Sequence, residues 1–144
     1  MKHVCLVRHG SAVSEQHNPR RPLTPKGRKE VRRAAAAVAK KHVTVSRICH
    51  SSKLRAKQTA ELLAQILKIG TVEETEGLSP RDDPDDAKAL IDKTDQPLML
   101  VGHLPHLSNL VSALTGSSQE VPFHTADVVA LMDDSQGWQI EWRL

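Results

Sequence analysis

Arg8, His9, Arg55 and His103 carry the side chains of this sequence best suited to chemistry on a phosphate group. An arginine has a permanent positive charge and donates paired hydrogen bonds to phosphate oxygens. A neutral imidazole can attack phosphorus or donate to a phosphoryl oxygen. Gly10 directly follows His9 and lets the backbone approach a neighbouring group closely. Each residue alone also has a structural alternative, since a histidine at a strand end is commonly hydrogen-bonded within the fold and Arg55 could pair with a carboxylate.

Apolar runs that end in polar residues predict that these four side chains meet at one edge of a sheet. Buried strands are predicted at residues 3–7, 43–49 and 97–103, with a shorter strand at 71–74. The first strand leads into Arg8 and His9, the second is followed closely by Arg55, and the third ends at His103. Right-handed crossovers make neighbouring parallel strands point the same way, so that their carboxyl ends share one edge. A phosphate-binding crevice is expected there.

Helices are predicted between these strands, so the chain alternates strand and helix as in an α/β protein. They cover residues 25–41, 53–67 and 104–114, and a polar loop within 70–86 leads into a further short helix. Thr24 followed by Pro25 is typical of a helix start. A serine is expected to cap the second helix, whose predicted buried face contains Leu62, Leu63, Ile66 and Leu67. Segments 128–132 and 138–142 flank a polar turn and predict a β-hairpin at one side of the sheet.

Arg55 falls in the first turn of the second predicted helix. The helix dipole disfavours a cation at that end, and Lys53 repeats the conflict. An anion bound at the helix N-terminus would resolve it, because backbone N–H groups and the guanidinium could then hold the same charge. The position of Arg55 is therefore compatible with a phosphate site and, equally, with a carboxylate partner.

Composition limits the class of protein. The 144 residues fit one domain, spanning residues 1–144. The formal net charge is +3, from 20 Lys and Arg against 17 Asp and Glu, but the chain has no Tyr, one Phe and two Trp. Surfaces that stack nucleic-acid bases need aromatic side chains, so no nucleic-acid partner is expected. A local site for a small anion remains compatible with this charge.

Cysteine and histidine spacing predicts buried thiols and no metal centre. Cys5 and Cys49 lie in apolar runs, which is typical of reduced, buried cysteines. The eight histidines lack the spacing of the common zinc motifs, and residues 81–86 miss that of a calcium loop. We expect neither a metal nor an organic cofactor. Because no apolar run forms a signal-peptide core or a membrane span, we expect a cytoplasmic protein with no membrane partner, and by default a monomer.

Three segments resemble motifs of the histidine phosphatase superfamily, the phosphoglycerate-mutase-like enzymes. They are Leu6–Gly10, Ser51–Ala60 and Val101–His103, and they occur in the order found in that superfamily. The segment Arg21–Gly27 resembles its helix start. Within the superfamily, the short length of the chain, this segment and Gly102–Pro105 are most similar to the SixA-type phosphohistidine phosphatases. The resemblance covers most of the chain.

The resemblance implies a three-layer α/β/α domain with a mostly parallel central sheet, and a phosphatase that removes phosphate from a phosphohistidine-bearing protein. In this mechanism neutral His9 attacks the phosphoryl group and is itself phosphorylated before water releases phosphate. Arg8, Arg55 and His103 would hold the phosphoryl oxygens. The candidates for further substrate contacts are Arg21, Gly10 and Asn18. The scheme requires no metal or cofactor.

Departures from the superfamily pattern bear on the substrate. The second motif has Ser52 where a proline is common. Many relatives have an acidic proton donor after the first motif or in the middle segment, but those places hold Ser11 and Leu78–Ser79 here. An alkoxide leaving group needs a general acid, whereas a phosphorylated imidazole leaves neutral once its ring is protonated. The missing acid is therefore compatible with phosphohistidine.

Two alternatives stay open. Folding could bring another acidic residue to the site, which would permit a small-molecule phosphomonoesterase or, less readily, a mutase; the candidates are Glu15, Glu76, Asp82 and Asp83. The same cluster could also recognise a phosphorylated partner without turning it over. An intact His9 argues against such a silent binding module, because binding alone needs no nucleophile.

Overall fold

Six strands and four helices make up the protein, and the computed structural model describes all 144 residues. The strands are β1 (Lys2–Arg8), β2 (Arg47–His50), β3 (Val72–Glu74), β4 (Leu98–Gly102), β5 (Val128–Asp133) and β6 (Trp138–Arg143). The helices are α1 (Pro25–Lys40), α2 (Leu54–Leu67), α3 (Pro84–Asp92) and α4 (His106–Thr115). The strands form one sheet in the order β3-β2-β4-β1-β5-β6. Strands β1 to β4 are parallel, β5 is antiparallel to β1 and β6 to β5, which confirms the mostly parallel sheet and the hairpin at its side.

A hydrophobic core covers each face of the sheet. In β1, Cys5 and Val7 face the core formed with α1 and α2, whereas Val4 and Leu6 face the core formed with α3 and α4. Burial on both faces explains why the run is continuously apolar. The result is the expected three-layer α/β/α arrangement. Cys5 and Cys49 are buried free thiols, as predicted. No helix of the structure is both long and apolar enough to cross a membrane.

Strand β2 is shorter than predicted, because it begins at Arg47 and not at residue 43. A strand needs neighbours, and pairing of β2 with β4 and β3 begins at Arg47 and Ile48. The preceding residues Val43 and Val45 pack as loop residues against the core beneath α1 and α2. Their apolar character therefore reflects burial and not strand pairing.

The predictions for the start and the buried face of α2 also need correction. Its N-cap residue is Lys53, with no side-chain cap, so neither preceding serine caps the helix. Ile66 is 38% exposed whereas Leu63 is fully buried, because the buried face of α2 is narrower than the predicted set of four. Helix α4 begins at His106, two residues later than predicted.

The chain that follows β1 is packed against the first turn of α1. Thr24 caps α1 as predicted, and its Oγ1 accepts the N–H of Gly27 at 2.9 Å. A Cβ atom on Gly27 would lie 2.0 Å from the carbonyl oxygen of Ser11, and one on Gly10 would lie 2.8 Å from the carbonyl oxygen of Gly27. The two glycines therefore allow a backbone contact that fixes the course of the chain directly after His9.

Replacing Gly27 by alanine tests this contact. Alanine has the higher helix propensity, so in open space the change would stabilise the protein by about 1 kcal/mol. Here the added methyl group must displace backbone atoms, and we expect the free energy of unfolding to fall by about 2 kcal/mol. Urea denaturation measures the effect, with Gly70→Ala as the control, since nothing lies within 4 Å of a Cβ atom there. A Gly27→Ala variant as stable as the wild type would contradict the contact.

Candidate active site

The strand register brings the ends of β1, β4 and β2 to one point at the edge of the sheet. Arg8, the last residue of β1, lies opposite Gly102, the last residue of β4. The N–H of His9 donates to the carbonyl oxygen of Gly102 at 3.1 Å. Ser51 directly follows β2, and its N–H donates to the carbonyl oxygen of Val101 in β4 at 3.3 Å. These backbone hydrogen bonds place His9, His103 and Ser51 side by side.

His9 is buried, and a backbone carbonyl selects one tautomer of its ring. Its Nδ1 lies 2.7 Å from the carbonyl oxygen of Gly10. A carbonyl oxygen only accepts hydrogen bonds, so Nδ1 carries the proton and Nε2 keeps its lone pair. Burial lowers the pKa of this imidazole to about 4, and the charges of Arg55, Arg8 and Arg21 act in the same direction. The ring is therefore neutral at pH 7, with Nε2 free to act as a nucleophile.

His103 lies against His9, with their ring centroids 5.1 Å apart. Its Nε2 is 2.6 Å from Oγ of Ser51, whereas its Nδ1 is buried without a hydrogen-bond partner. Oγ of the buried Ser51 accepts the N–H of Lys53 at 3.3 Å, and Nε2 of His103 is the one acceptor within reach of the serine proton, so the serine donates to Nε2. The proton of the His103 ring then resides on Nδ1, where it can be donated to a bound oxygen.

His103 is also neutral at pH 7. Burial lowers its pKa to about 3, with smaller contributions from His9 and from the charge of Arg55. The two imidazoles therefore present different atoms to the site, although both are neutral and both carry their proton on Nδ1. His9 presents a lone pair on Nε2, and His103 presents a donor on Nδ1.

Arg8 and Arg55 supply the fixed positive charge of the site. Nη1 of Arg8 donates to the carbonyl oxygen of Phe123 at 2.9 Å, but Nε of Arg8 and Nε of Arg55 are both buried without a partner. Burial and the charge of Arg21 lower the pKa of Arg55. The two ion pairs of the protein involve other residues, so no carboxylate neutralises Arg55. Its place in the first turn of α2, as predicted, leaves this cation available to an anion.

Two residues of α2 that the sequence alone did not single out connect the parts of the site. Oγ1 of the buried Thr59 donates to the carbonyl of Arg55 at 2.8 Å and accepts the N–H of Gly10 at 3.1 Å. Oε1 of Gln58 accepts the N–H of Leu23 at 2.7 Å, which ties the loop before α1 to α2. Their place in the second motif was the available signal. Since its N–H is occupied, Gly10 shapes the loop and offers no free donor.

Arg21 lies beside the site, whereas the Asn18 side chain supports a turn. Arg21 has a φ of +50°, its Nε donates to the carbonyl of Val13 at 3.0 Å, and it lines a cleft of about 550 Å³ together with Arg55. A left-handed conformation is uncommon for arginine. Asn18 is exposed, and its Oδ1 accepts the N–H of Arg20 at 3.0 Å. This hydrogen bond stabilises the turn that carries Arg21.

The four acidic candidates differ in position. Glu15 lines the same cleft as Arg21. Glu76 and Asp82 line a neighbouring cleft, and Asp83 caps α3, where its Oδ1 accepts the N–H of Asp85 at 2.9 Å. None of the four is hydrogen-bonded to either imidazole. Nowhere in the chain do three or more His, Cys, Asp or Glu side chains gather in a group that could hold a metal ion.

Residues 4–82, more than half of the chain, match the family model of the histidine phosphatase superfamily (branch 1). The chain belongs to this superfamily. Phosphohistidine phosphatase SixA of Escherichia coli K12 is 27% identical to it, in an alignment that covers 98% of the chain and 92% of SixA. Both findings support a phosphatase of the SixA-like kind that the motifs indicate.

Solved structures share the fold over nearly the whole chain. SixA complexed with tungstate has 27% identity and a TM-score of 0.87, covering 99% of this chain and 96% of that one. A SixA homologue from Agrobacterium tumefaciens, described as a putative phosphohistidine phosphatase, has 22% identity and a TM-score of 0.84, covering 99% and 97%. A mycobacterial glucosyl-3-phosphoglycerate phosphatase has 17% identity and a TM-score of 0.73, covering 98% and 97%. The phosphoglycerate-mutase-like fold is thereby confirmed.

Side-chain ¹H–¹⁵N NMR spectra of the histidines test the assigned tautomers. We expect His9 and His103 to remain neutral, with the proton on Nδ1, from pH 7 down to about pH 5, because both pKa values are lowered well below the usual 6.5. Ser51→Ala removes the donor to Nε2 and should weaken the tautomer preference of His103 but not that of His9. An imidazolium ring, with protons on both nitrogens, at pH 6 in the wild type would contradict the assignment.

The lowered pKa values of His9 and His103 also make the stability of the protein depend on pH. Each of these rings has a lower pKa in the folded protein than in the unfolded chain, so the unfolded chain takes up protons first on acidification. The free energy of unfolding should therefore fall as the pH is lowered from 6.5 towards 4. Urea titrations at several pH values within this window provide the measurement.

Proposed function

We propose that this protein hydrolyses phosphohistidine on a protein substrate, through a phosphohistidine intermediate on His9. The observation that carries the proposal is the pair of neutral imidazoles, one with a lone pair on Nε2 and one with a proton on Nδ1, beside two guanidinium groups with unpartnered Nε atoms. A nucleophile, a hydrogen-bond donor and uncompensated positive charge are what phosphoryl transfer needs from a protein.

In the first step Nε2 of His9 attacks phosphorus in line with the substrate imidazole. The P–N bond of the substrate breaks, and the bonding electron pair returns to its imidazole, which leaves neutral because its other nitrogen already carries a proton. His9 becomes phosphorylated on Nε2, while Nδ1 keeps its proton and its hydrogen bond to the carbonyl oxygen of Gly10. The phosphoryl group thus moves between two chemically equivalent imidazoles, so no general acid is required.

In the second step water attacks phosphorus and the P–Nε2 bond breaks. His9 regains its lone pair, and the product leaves as dihydrogen phosphate, which keeps both protons of the water. In both steps negative charge is spread over three phosphoryl oxygens. Arg8, Arg55 and the Nδ1–H of His103 act as donors to these oxygens, and Arg21 orients the phosphate from the adjoining cleft.

Two further observations support this proposal over other phosphatase substrates. No carboxylate is hydrogen-bonded to either imidazole, so no proton donor is poised for an alkoxide. The SixA structure with a TM-score of 0.87 to this chain is complexed with tungstate, a tetrahedral oxyanion like phosphate. The second candidate function is a small-molecule phosphomonoesterase that uses Glu15, which lines the cleft next to Arg21.

Hydrolysis of a phosphohistidine peptide and of an aryl phosphate, followed as phosphate release without added metal, separates these functions. We expect the peptide to be the better substrate. His9→Ala should lower its turnover by about a thousandfold or more, and Arg55→Ala should lower kcat/KM by about a hundredfold. His17→Ala and Arg32→Ala, at exposed positions, serve as matched controls.

Three outcomes would contradict the proposal. Faster turnover of the aryl phosphate, lost in Glu15→Gln, would favour the phosphomonoesterase. Unchanged peptide hydrolysis in His9→Ala would exclude the nucleophile. Activity that disappears with a chelator and returns with a divalent ion would contradict a metal-independent reaction.

A further inference from the structure

Two clefts of opposite charge adjoin each other beside the phosphate site. The first, of about 550 Å³, is the cleft that contains Arg55; its other cationic lining residues are Arg20, Arg21, Lys53 and Lys57. The second, of about 640 Å³, has no hydrophobic lining residue and carries the carboxylates Glu74, Glu76, Asp82 and Asp86. Ser52 and Glu74 line both clefts, so the two surfaces meet at the start of α2.

The basic cleft has more positive charge than the chemistry of a single phosphate uses. The side chains of Arg20, Lys53 and Lys57 form no ion pair and no hydrogen bond within the protein. All three are exposed, and only Glu15 and Glu74 offset them within the cleft. Cations gathered on one side of a reaction centre raise the local concentration of an anionic partner and orient it.

The acidic cleft makes the surface negative on one side of the site, opposite the positive side formed by the basic cleft. Glu76 and Asp86 are exposed and form no ion pair, and Asp82 is engaged only with the N–H of Ser79, at 2.9 Å. Behind this cleft His106 is fully buried with both ring nitrogens unpartnered, and burial lowers its pKa although the charge of Asp82 opposes the shift. No protein cation therefore neutralises these carboxylates, and an anionic peptide segment in this cleft would be repelled.

We propose that the two clefts form a docking surface for a phosphohistidine-bearing protein segment that is acidic on one side of the phosphohistidine only. This inference rests on the proposed function. The acidic flank lies along Arg20, Lys53 and Lys57, and the other flank, neutral or basic, lies along Glu76 and Asp86. Like charges placed opposite each other disfavour the wrong partner and set orientation in interfaces, so the surface selects both the partner and its direction of binding.

The test uses synthetic peptides of equal length with a central phosphohistidine. Their flanks are neutral, acidic on both sides, basic on both sides, acidic–basic or basic–acidic, and free phosphoramidate serves as the substrate without flanks. At low salt we expect kcat/KM for one of the two mixed peptides to exceed that for the neutral and the doubly acidic peptides by about tenfold, and salt to remove the difference.

Charge reversals assign the effect to the clefts. Arg20→Glu with Lys57→Glu should abolish the preference for the mixed peptide. Glu76→Lys with Asp86→Lys should raise kcat/KM for the doubly acidic peptide to that of the preferred mixed peptide. Lys29→Glu with Arg32→Glu, on the exposed face of α1, makes the same change in net charge as the first pair and should alter neither preference. Hydrolysis of phosphoramidate should be unchanged in all three variants.

The outcomes separate this inference from the proposed function. If phosphoramidate and the neutral phosphohistidine peptide are not hydrolysed by the wild type, the proposed function is wrong. If they are hydrolysed but flanking charge has no effect, or the α1 control changes the preference as much as the cleft variants do, the docking surface is wrong. Stronger inhibition by a single-stranded oligonucleotide than by an acidic peptide without phosphate would assign the basic cleft to nucleic acid and overturn the inference.

Discussion

The parallel pairing of β1 and β2 with β4 is the interaction on which the site depends. Because Arg8 lies opposite Gly102, the residues that follow both strands leave the sheet at the same point. The hydrogen bond from the N–H of His9 to the carbonyl of Gly102 continues the ladder by one residue and fixes the distance between the two imidazoles. A slip of one residue in this register would turn the side chains of β1 to the opposite face and separate the pair.

The electrostatics of the site follow from burial as much as from charge. Removal of water is the main cause that opposes protonation of the two rings, and the nearby charge of Arg55 adds to the effect. Positive charge therefore collects on the arginines, where it can meet phosphate oxygens, while the imidazoles stay neutral and reactive. Hydrogen bonds from Nδ1 of His9 to a carbonyl and from Ser51 to His103 then decide which nitrogen of each ring faces the substrate.

The sequence predicts the parts of this protein that depend on local pattern and on strand direction. Apolar runs located the central strands, Thr24 and Pro25 located the start of α1, and the parallel direction of the strands predicted that His9, Arg55 and His103 meet. Contacts between residues distant in sequence could not be predicted from these patterns. A serine before α2 was expected to cap that helix, but Ser51 instead bonds to His103. The links made by Gln58 and Thr59 depend on how two elements pack. Likewise, the start of β2 is set by its partner strands and not by its own β-branched residues.

Identification of the phosphorylated atom shows whether Nε2 of His9 is the nucleophile. The protein is mixed with phosphoramidate and the reaction is quenched within one turnover in base, because phosphohistidine is stable there. The product is analysed by mass spectrometry and ³¹P NMR. We expect a phosphoryl group on Nε2 of His9 that is absent from His9→Ala. Phosphate on His103, on Nδ1 of His9, or on no residue during active turnover would contradict it.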